Sequence, residues 1–289
     1  MAIDLRGKVI AISGASSGIG AATAIECARA GMKVALGARR LERLQTLAER
    51  IRRDGGEALA VQLDVADAPA CVAFIAQTVE MFGGLHAVFA NAGYGVEQSM
   101  IEMPEAELRQ IFEVNFFGSL NLVRPAVKHM LAQPAPAHGA RRGHVLICSS
   151  CLAKMTIPFY GAYSATKAAQ HHVGQALRLE LEPKGIAVTT VHPISTESEF
   201  FDAVKRVSGT ESLSHSSPGI MTQTPAFVGK RVVARLKRPR PELWPGVRGV
   251  MVRTGMSLSA LLPGTTDFVL RGMVKRRFRR EEREGKGHV

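Results

Sequence analysis

The first thirty residues place an apolar run, a glycine-rich turn and a helix-forming stretch in immediate succession. The apolar run covers residues 8–13, the turn is Gly14–Gly20, and the helical stretch of residues 21–30 stops at Gly31. A short run without polar interruptions is typical of a buried parallel strand. A glycine-rich turn between strand and helix exposes backbone N–H groups and a helix N-terminus, which favour phosphate. This order predicts an α/β unit that binds a nucleotide.

Each glycine of the turn has a separate structural role in such a unit. Gly14 permits a tight turn, Gly18 lets the backbone approach a pyrophosphate, and Gly20 allows close packing of helix and strand. The spacing G-x-x-x-G-x-G differs from the commoner G-x-G-x-x-G. The turn residues that we expect to contact a cofactor are Gly14, Ser16, Ser17, Gly18, Ile19 and Gly20.

Apolar runs alternate with helical patterns along most of the chain. We predict strands near residues 8–13, 33–38, 58–63, 86–90, 143–149 and 186–191, and helices near 18–30, 40–54, 69–82, 104–132, 160–182 and 225–237. This alternation predicts a single-domain α/β fold, a doubly wound parallel sheet of the Rossmann type. We expect a dinucleotide-binding and catalytic core over residues 1–195, and substrate-loop and closing elements over 196–245. A basic, partly amphipathic extension would follow over 246–289.

Tyr163 and Lys167 lie four residues apart within a predicted helix, and Ser150 lies thirteen residues before the tyrosine. Side chains with this i, i+4 spacing share one helix face. At about 5 Å and an effective dielectric of about 20, the ammonium would lower the tyrosine pKa by about two units. Such a phenol could exchange protons with a substrate oxygen near neutral pH. Taken alone, the pair could equally be two exposed side chains with no common function.

Six motifs in sequence order resemble those of the short-chain dehydrogenase/reductase family, and the resemblance covers roughly residues 5–200. The motifs are the Gly14–Gly20 turn, Asp64-Val65, Asn91-Ala92-Gly93, Asn115, Ser149-Ser150 and the Tyr163/Lys167 pair. The resemblance implies an oxidoreductase that moves hydride between a nicotinamide cofactor and a carbonyl/alcohol pair.

The resemblance also implies a role for each catalytic position. Tyr163 would be the general acid in carbonyl reduction and the general base in alcohol oxidation. Lys167 would lower the tyrosine pKa and bind the nicotinamide ribose, while Ser150 would orient the substrate oxygen. Asn115 would hold the water through which protons pass from Lys167 to solvent; alternatively, it satisfies a local backbone group. Ser149 competes for the serine role, but the thirteen-residue interval to Tyr163 favours Ser150.

Further cofactor contacts are implied after the third, fourth and sixth strands. Besides Tyr163 and Lys167, they are Asp64, Val65, Asn91, Ala92, Gly93, Pro193, Thr196 and Ser198. The chain departs from the family pattern after the sixth strand, where Ile194 replaces the usual glycine and Ser198 the usual threonine. A β-branched residue does not readily adopt a positive φ, so we expect a different local turn.

The end of the second strand bears on cofactor choice. Enzymes that prefer NAD usually place an acid here to bind the ribose 2′-hydroxyl, but this chain has Ala38 followed by Arg39 and Arg40. Arginine suits a dianionic phosphate through its charge and fork geometry. We therefore predict NADP(H), with NAD(H) the less favoured alternative. The competing interpretation is that both arginines begin a solvated helix.

Cys148 and Cys151 have the C-x-x-C spacing found in some metal and redox sites. No second ligand pair with suitable spacing occurs, and Cys148 falls in a predicted buried strand, where a thiol behaves as a small hydrophobe. We expect no metal site, and a reducing cytoplasmic setting is the default.

Most of the net charge lies in the last sixty residues. Residues 230–289 hold sixteen Lys/Arg and five Asp/Glu, a net +11 of the +12 carried by the whole chain. An apolar stretch over residues 246–273 lies between the basic groups. A solvated, partly disordered tail is one interpretation. Peripheral contact of an amphipathic segment with an anionic membrane is another. Nucleic-acid binding is not expected, because no recognised motif accompanies the charge.

The segment of about residues 196–225 resembles the family's substrate flap, which closes over the active site. An apolar pocket is expected from Tyr94, Met155, Ile157, Phe159, Phe200, Phe201 and Met221. These side chains favour a hydrophobic ketone or secondary alcohol as the small-molecule substrate. The resemblance implies a homodimer or homotetramer formed through helices 104–132 and 160–182. Two alternatives remain: a catalytically silent dinucleotide-binding scaffold or sensor, and an epimerase or dehydratase that retains its cofactor.

Overall fold

The computed structural model describes residues 2–134, 141–196, 204, 222–259, 264, 267, 270–272, 274 and 275. A parallel sheet of seven strands crosses this part of the chain in the order β3-β2-β1-β4-β5-β6-β7. The strands are β1 Val9–Ser13, β2 Lys33–Ala38, β3 Ala58–Gln62, β4 Ala87–Ala90, β5 Gly143–Cys148, β6 Ile186–Val191 and β7 Glu242–Leu243. The predicted doubly wound Rossmann-type fold is confirmed.

Eight α-helices flank the sheet within the described residues. They are α1 Gly18–Arg29, α2 Leu41–Arg53, α3 Ala68–Phe82, α4 Glu105–Phe112, α5 Gly118–Ala132, α6 Gly161–Leu181, α7 Pro225–Lys237 and α8 Gly246–Ser259. The predicted helix over 104–132 is thus interrupted by a π-helical turn at Glu113–Phe117, which joins α4 to α5. Strand β7 and helix α8 were not among the predicted elements. β7 has only two residues, too few for a hydrophobic period to be read.

Two apolar layers cover the two faces of the sheet, because successive strand residues point to opposite sides. Ile10 and Ile12 of β1 pack with residues of α1, α2 and α7, whereas Val9 and Ala11 pack with residues of α3 and α5. Burial on both faces explains why these strands read as continuous apolar runs.

The strand order reverses direction between β1 and β4. From β1 the chain extends the sheet through β2 and β3, and from β4 it extends the other side through β5 and β6. Ligands of open α/β sheets bind at the carboxyl ends of the strands beside such a reversal. The fold therefore places the loops after β1 and β4 at the expected binding crevice.

Two predicted segments lie outside the described residues. These are most of the flap at 196–225, including Phe200, Phe201 and Met221, and most of the extension beyond residue 259. None of the helices described combines the length and the apolar character needed to cross a bilayer.

Candidate active site

A cavity of about 540 Å³ opens at the carboxyl ends of the strands. This volume is within the range of small-molecule binding sites. The structure brings most of the predicted site residues to its wall: Gly14, Ser16, Ser17, Gly18, Ile19, Arg39, Arg40, Asp64, Val65, Asn91, Ala92, Gly93, Ser150, Tyr163, Lys167, Pro193 and Thr196. Residues from seven separate segments thus meet around one space.

Two predicted site residues are not on that wall, and a third is not among the described residues. Gly20 lies in the first turn of α1, where an added Cβ would overlap the carbonyl oxygen of Gly14, so its task is packing. Asn115 is fully buried behind the cavity in the π-helical turn. Ser198 lies outside the described residues.

The loops after β1 and β4 are joined by hydrogen bonds. The hydroxyl of Ser13 accepts from the backbone N–H groups of Asn91 and Ala92, each at 3.1 Å. The Asn91 amide in turn donates to the carbonyls of Ser13 and Gly14, at 3.1 and 3.3 Å. This network holds the glycine turn against the loop after β4, and it fixes one wall of the crevice.

The glycine turn presents a helix N-terminus to the cavity. Gly14 has φ +65°, and a Cβ there would lie 2.8 Å from the Cα of Ala92, so both conformation and space require glycine. Ser17 precedes α1 without a capping hydrogen bond from its side chain. The first N–H groups of α1 therefore lack helical partners, and such groups bind phosphate readily. The turn fits the pyrophosphate of a dinucleotide.

A guanidinium group covers the other side of the same turn. Arg40 donates to the hydroxyls of Ser16 and Ser17, at 3.1 and 3.0 Å. Ala38 is buried at the end of β2, and Arg39 and Arg40 are exposed and line the cavity. The position expected to carry an acid in an NAD-preferring protein is thus apolar, with two cations beside it.

The predicted catalytic side chains meet at the opposite end of the cavity. The hydroxyl of Ser150 accepts from Leu152 N–H at 3.1 Å and also hydrogen-bonds Tyr163. Ser149 instead donates its hydroxyl to the backbone carbonyl of Lys167 at 2.8 Å. Of the two candidate serines, Ser150 is therefore the one that reaches the phenol.

The predicted direction of the Tyr163 pKa is wrong for this structure. Burial raises that pKa well above its usual range, and the hydrogen bond from Ser150 offsets only part of the rise. The Lys167 ammonium lies 5.5 Å from the centre of the phenol ring. Its hydrogen bonds go to the Cys148 carbonyl and to Gln170 Oε1, both at 2.9 Å, rather than towards the phenol oxygen. Burial also lowers the pKa of Lys167 to about 8.

Asn115 connects the loop after β4 to helix α6. Its side-chain oxygen accepts from Tyr94 N–H, and its amide donates to Tyr94 O, both at 2.9 Å, and to Thr166 Oγ1 at 3.1 Å. Its backbone carbonyl accepts from Gln170 Nε2 at 2.6 Å. The alternative in which Asn115 satisfies local backbone groups matches these contacts. The Asn115 carbonyl also accepts from Ser119 Oγ at 2.7 Å, and the water-holding role stays a prediction.

Gln170 is a residue of this site that the sequence reasoning missed. A signal was present: Gln170 follows Lys167 by three residues, so both lie on one face of α6. The spacing alone could not show that the two side chains also share a buried environment.

Behind Ser150 lies a second polar cluster, which sequence reasoning also missed. His192 Nδ1 is 2.9 Å from the Ser150 carbonyl, and its ring stacks on Trp244 at 4.6 Å. Lys154 Nζ lies 2.7 Å from His171 Nε2 and 3.2 Å from Glu242 Oε1. His171, His192 and Glu242 are near enough together to ligate one metal ion. The Lys154 ammonium, however, already binds two of those three groups.

The described loop after β6 accommodates Ile194 without a positive φ. Among the described non-glycine residues only Phe159 has one. Ile194 is buried, and its carbonyl accepts from the Thr196 hydroxyl at 2.9 Å, while the Pro193 carbonyl accepts from Cys151 N–H at 3.0 Å. The loop is therefore tied to the segment after β5.

The wall near Tyr163 is largely apolar. Tyr94 and Ile157 of the predicted pocket line it, whereas Met155 and Phe159 do not, and Leu152, Tyr160 and Ile194 contribute as well. Cys151 also lines it, and burial raises the pKa of its thiol to about 11, so the thiol stays protonated at neutral pH.

Comparison with known proteins agrees with the family resemblance of the sequence motifs. Residues 8–207 match the family model described as short chain dehydrogenase. The chain is 37% identical over 212 residues to 11-beta-hydroxysteroid dehydrogenase A of Sesamum indicum, covering 71% of this chain and 58% of that one.

Two solved structures share the fold. An alcohol dehydrogenase from Thermococcus sibiricus, complexed with 5-hydroxy-NADP, has a TM-score of 0.70 and 27% identity, covering 82% of this chain and 94% of that one. A 3-ketoacyl-(acyl-carrier-protein) reductase from Brucella melitensis, complexed with NADH, has a TM-score of 0.71 and 28% identity, covering 81% and 92%. The solved relatives thus include complexes with both kinds of nicotinamide cofactor.

Proposed function

The chain belongs to the short-chain dehydrogenase family, and on that premise we propose that it is an NADP(H)-dependent oxidoreductase acting on a hydrophobic carbonyl compound or secondary alcohol. The observation that carries the proposal is the placement of Tyr163 and Ser150, hydrogen-bonded to each other, on the wall of the cavity that also contains the glycine turn. A phenol and a hydroxyl there can bind one substrate oxygen together.

The proposed mechanism assigns the hydride to the cofactor and the proton to the protein. A bound nicotinamide would supply or accept the hydride. Ser150 orients the substrate oxygen, and Tyr163 donates its proton to that oxygen as negative charge develops. Because burial raises the pKa of Tyr163, the phenol is protonated at neutral pH, which suits the acid role in carbonyl reduction. Lys167 lines the same wall and places a cation beside the phenol.

A hydrophobic substrate is supported by the wall around Tyr163. Tyr94, Leu152 and Ile157 present apolar surface there. The relative from Sesamum indicum is named for a steroid, which is a large apolar substrate. We therefore propose a hydrophobic ketone or alcohol.

Replacing Tyr163 by Phe removes the proton donor and little else. We expect turnover of any accepted substrate to fall by about a hundredfold or more, the usual contribution of a general acid. Thr46→Val is the control, because it deletes an exposed hydroxyl of α2, and it should keep most of the activity. The measurement is loss of reduced-nicotinamide absorbance across a panel of hydrophobic carbonyl compounds. Equal rates for Tyr163→Phe and the parent protein would refute the assignment.

The preference for NADP(H) is proposed from charge at the end of β2. Arg39 and Arg40 offer guanidinium groups where no acid is present to bind a 2′-hydroxyl, and Arg40 is held over the glycine turn. A guanidinium pairs well with a phosphate through charge and geometry.

Binding of NADP⁺ and NAD⁺ tests this preference without a substrate. We expect Arg39→Ala and Arg40→Ala each to weaken NADP⁺ binding by about tenfold, because hydrogen bonds to a charged group are lost. NAD⁺ binding should change little. Arg50→Ala, on the exposed end of α2, is the matched control. Calorimetric titration gives both constants, and a tenfold preference of the parent protein for NAD⁺ would overturn the proposal.

Self-association is proposed through the helices that the family resemblance indicates. Phe117 at the end of the π-helical turn before α5 is 46% exposed, and Leu179 on α6 is 65% exposed, so apolar side chains are available beside α5 and on α6. We expect a homodimer or homotetramer by light scattering, and a smaller species for Leu179→Glu. The mass of a single chain for the parent protein would contradict this.

Peripheral membrane contact is proposed for helix α8. Val247, Val250, Met251 and Leu258 are exposed along one stripe of the helix, since their spacings of three, four and seven residues keep them on one face. Arg248 and Arg253 lie on either side of that stripe. Apolar residues flanked by cations are typical of helices that lie on anionic membranes.

Vesicle cosedimentation tests the proposal. We expect the protein to pellet at low salt with vesicles of phosphatidylcholine and phosphatidylserine but not with phosphatidylcholine alone. Met251→Glu should reduce the bound fraction severalfold by placing charge in the apolar stripe. Met81→Glu, at an exposed methionine of α3, is the control. No binding of the parent protein to anionic vesicles would exclude the contact.

A further inference from the structure

Gln170 is a buried amide that links three polar groups behind the cavity. Its exposed fraction is 2%. Its Oε1 accepts from Lys167 Nζ at 2.9 Å, and its Nε2 donates to the Asn115 carbonyl at 2.6 Å and to Ser119 Oγ at 2.7 Å. An ammonium can only donate and a backbone carbonyl can only accept, so the amide fits in one orientation. The orientation of the Gln170 amide is therefore fixed by the Lys167 ammonium on one side and by the Asn115 carbonyl on the other.

The contact between Gln170 and Lys167 involves an ammonium that is itself only 4% exposed. Burial of a cation is costly unless its N–H groups are bonded. The ammonium has three donors, of which the Cys148 carbonyl and Gln170 Oε1 accept two. A donor remains for a ligand in the cavity that Lys167 lines.

The groups around Lys167 show how far stabilisation of its positive charge depends on Gln170. The titratable groups that face it are the Cys148 thiol of β5 and the Tyr163 phenol of α6, and burial raises the pKa of both. Both are therefore uncharged at neutral pH. The nearby residues of the loop after β4 and of the π-helical turn, Gly93 and Asn115, do not titrate. Among the described neighbours, stabilisation of the cation thus depends on neutral oxygen acceptors, and Gln170 supplies one of the two.

An amide also differs from water as a neighbour of an ammonium. Side-chain amides are not among the groups that exchange protons at neutral pH, which are His, carboxylates, Lys, Tyr and Cys. The Gln170 amide occupies the space between Lys167 and the Asn115 carbonyl and bonds to both. Because this amide does not exchange protons, it does not relay them between those two groups.

We propose that Gln170 is a positioning residue that keeps Lys167 charged and orients its free N–H towards the cavity, while it closes the route from Lys167 to Asn115. The proposal rests on the proposed oxidoreductase function, because the orientation of Lys167 matters through the phenol and the cofactor ribose. Gln170 acts through Lys167 and does not itself touch the substrate. Protons that replenish Tyr163 then arrive from the cavity side.

The charge on Lys167 can be measured without any substrate. Protein labelled with ¹³C at the lysine ε-carbons is titrated by NMR, and the Lys167 signal is identified by its absence from Lys167→Arg. Gln170→Met keeps the volume and removes the acceptor. The Lys167 pKa, which burial lowers to about 8, should fall by about one further unit, since hydrogen bonds to charged groups are worth about that much. The ratio of neutral to charged lysine at a given pH then rises about tenfold.

Two further variants make the measurement decisive. Gln170→Glu places a carboxylate against the ammonium and should raise the Lys167 pKa by about one unit or more. It also serves if Gln170→Met does not fold. Gln175→Met, at an exposed glutamine of the same helix, should leave the pKa unchanged. A Lys167 pKa that stays the same in both Gln170 variants would overturn the proposal.

Turnover separates this proposal from the proposed function. If the protein reduces a carbonyl substrate, the alkaline limb of its kcat profile should move down with the Lys167 pKa in Gln170→Met and stay in place in Gln175→Met. A limb that does not move in Gln170→Met would also count against the proposal. If no substrate is turned over, the proposed function fails, while the NMR titration still decides whether Gln170 sets the charge of Lys167.

Discussion

The buried side-chain amide of Asn115 is the interaction on which the geometry of the site depends. It bonds to both backbone groups of Tyr94, in the loop after β4, and to Thr166 on α6. A buried polar group left unpaired costs about 1–3 kcal/mol, so this arrangement strongly favours one relative position of loop and helix. Tyr163 and Lys167 lie within one turn of Thr166. Their placement beside the cavity therefore follows from a residue that does not line it.

Burial and charge oppose each other at this site, and burial prevails. An ammonium about 5 Å from a phenol would lower the phenol pKa by about two units in a moderately polar medium. The same enclosure removes both groups from water, which raises the pKa of Tyr163 and lowers that of Lys167 to about 8. Both side chains are thus shifted towards their neutral forms. This shift suits a proton donor, and it makes the acceptors of the ammonium, the Cys148 carbonyl and Gln170, more important.

The features of the fold and site that could be predicted from the sequence were local ones. The strand before Gly14, the glycine turn and the i, i+4 pair on α6 each depend on spacing within a few residues, and the structure places them as expected. Contacts between segments that are distant along the chain could not be predicted from the sequence. Gln170 and Asn115 are 55 residues apart, and His192 and Ser150 are 42 apart. The direction of the Tyr163 pKa was predicted wrongly for the same reason, because spacing shows a nearby charge but not the depth of burial.

The contact between β7 and the segment after β5 links the edge of the sheet to the candidate site. Glu242 of β7 binds Lys154, and Trp244 stacks on His192, whose Nδ1 is bonded to the Ser150 carbonyl. Burial lowers the pKa of His192 to about 4, so the ring is neutral and Nδ1 carries the proton that this carbonyl accepts. The backbone of Ser150 is thereby held from its far side by residues more than forty positions later in the chain. The serine that we propose to orient the substrate oxygen thus depends on a strand too short to recognise in the sequence.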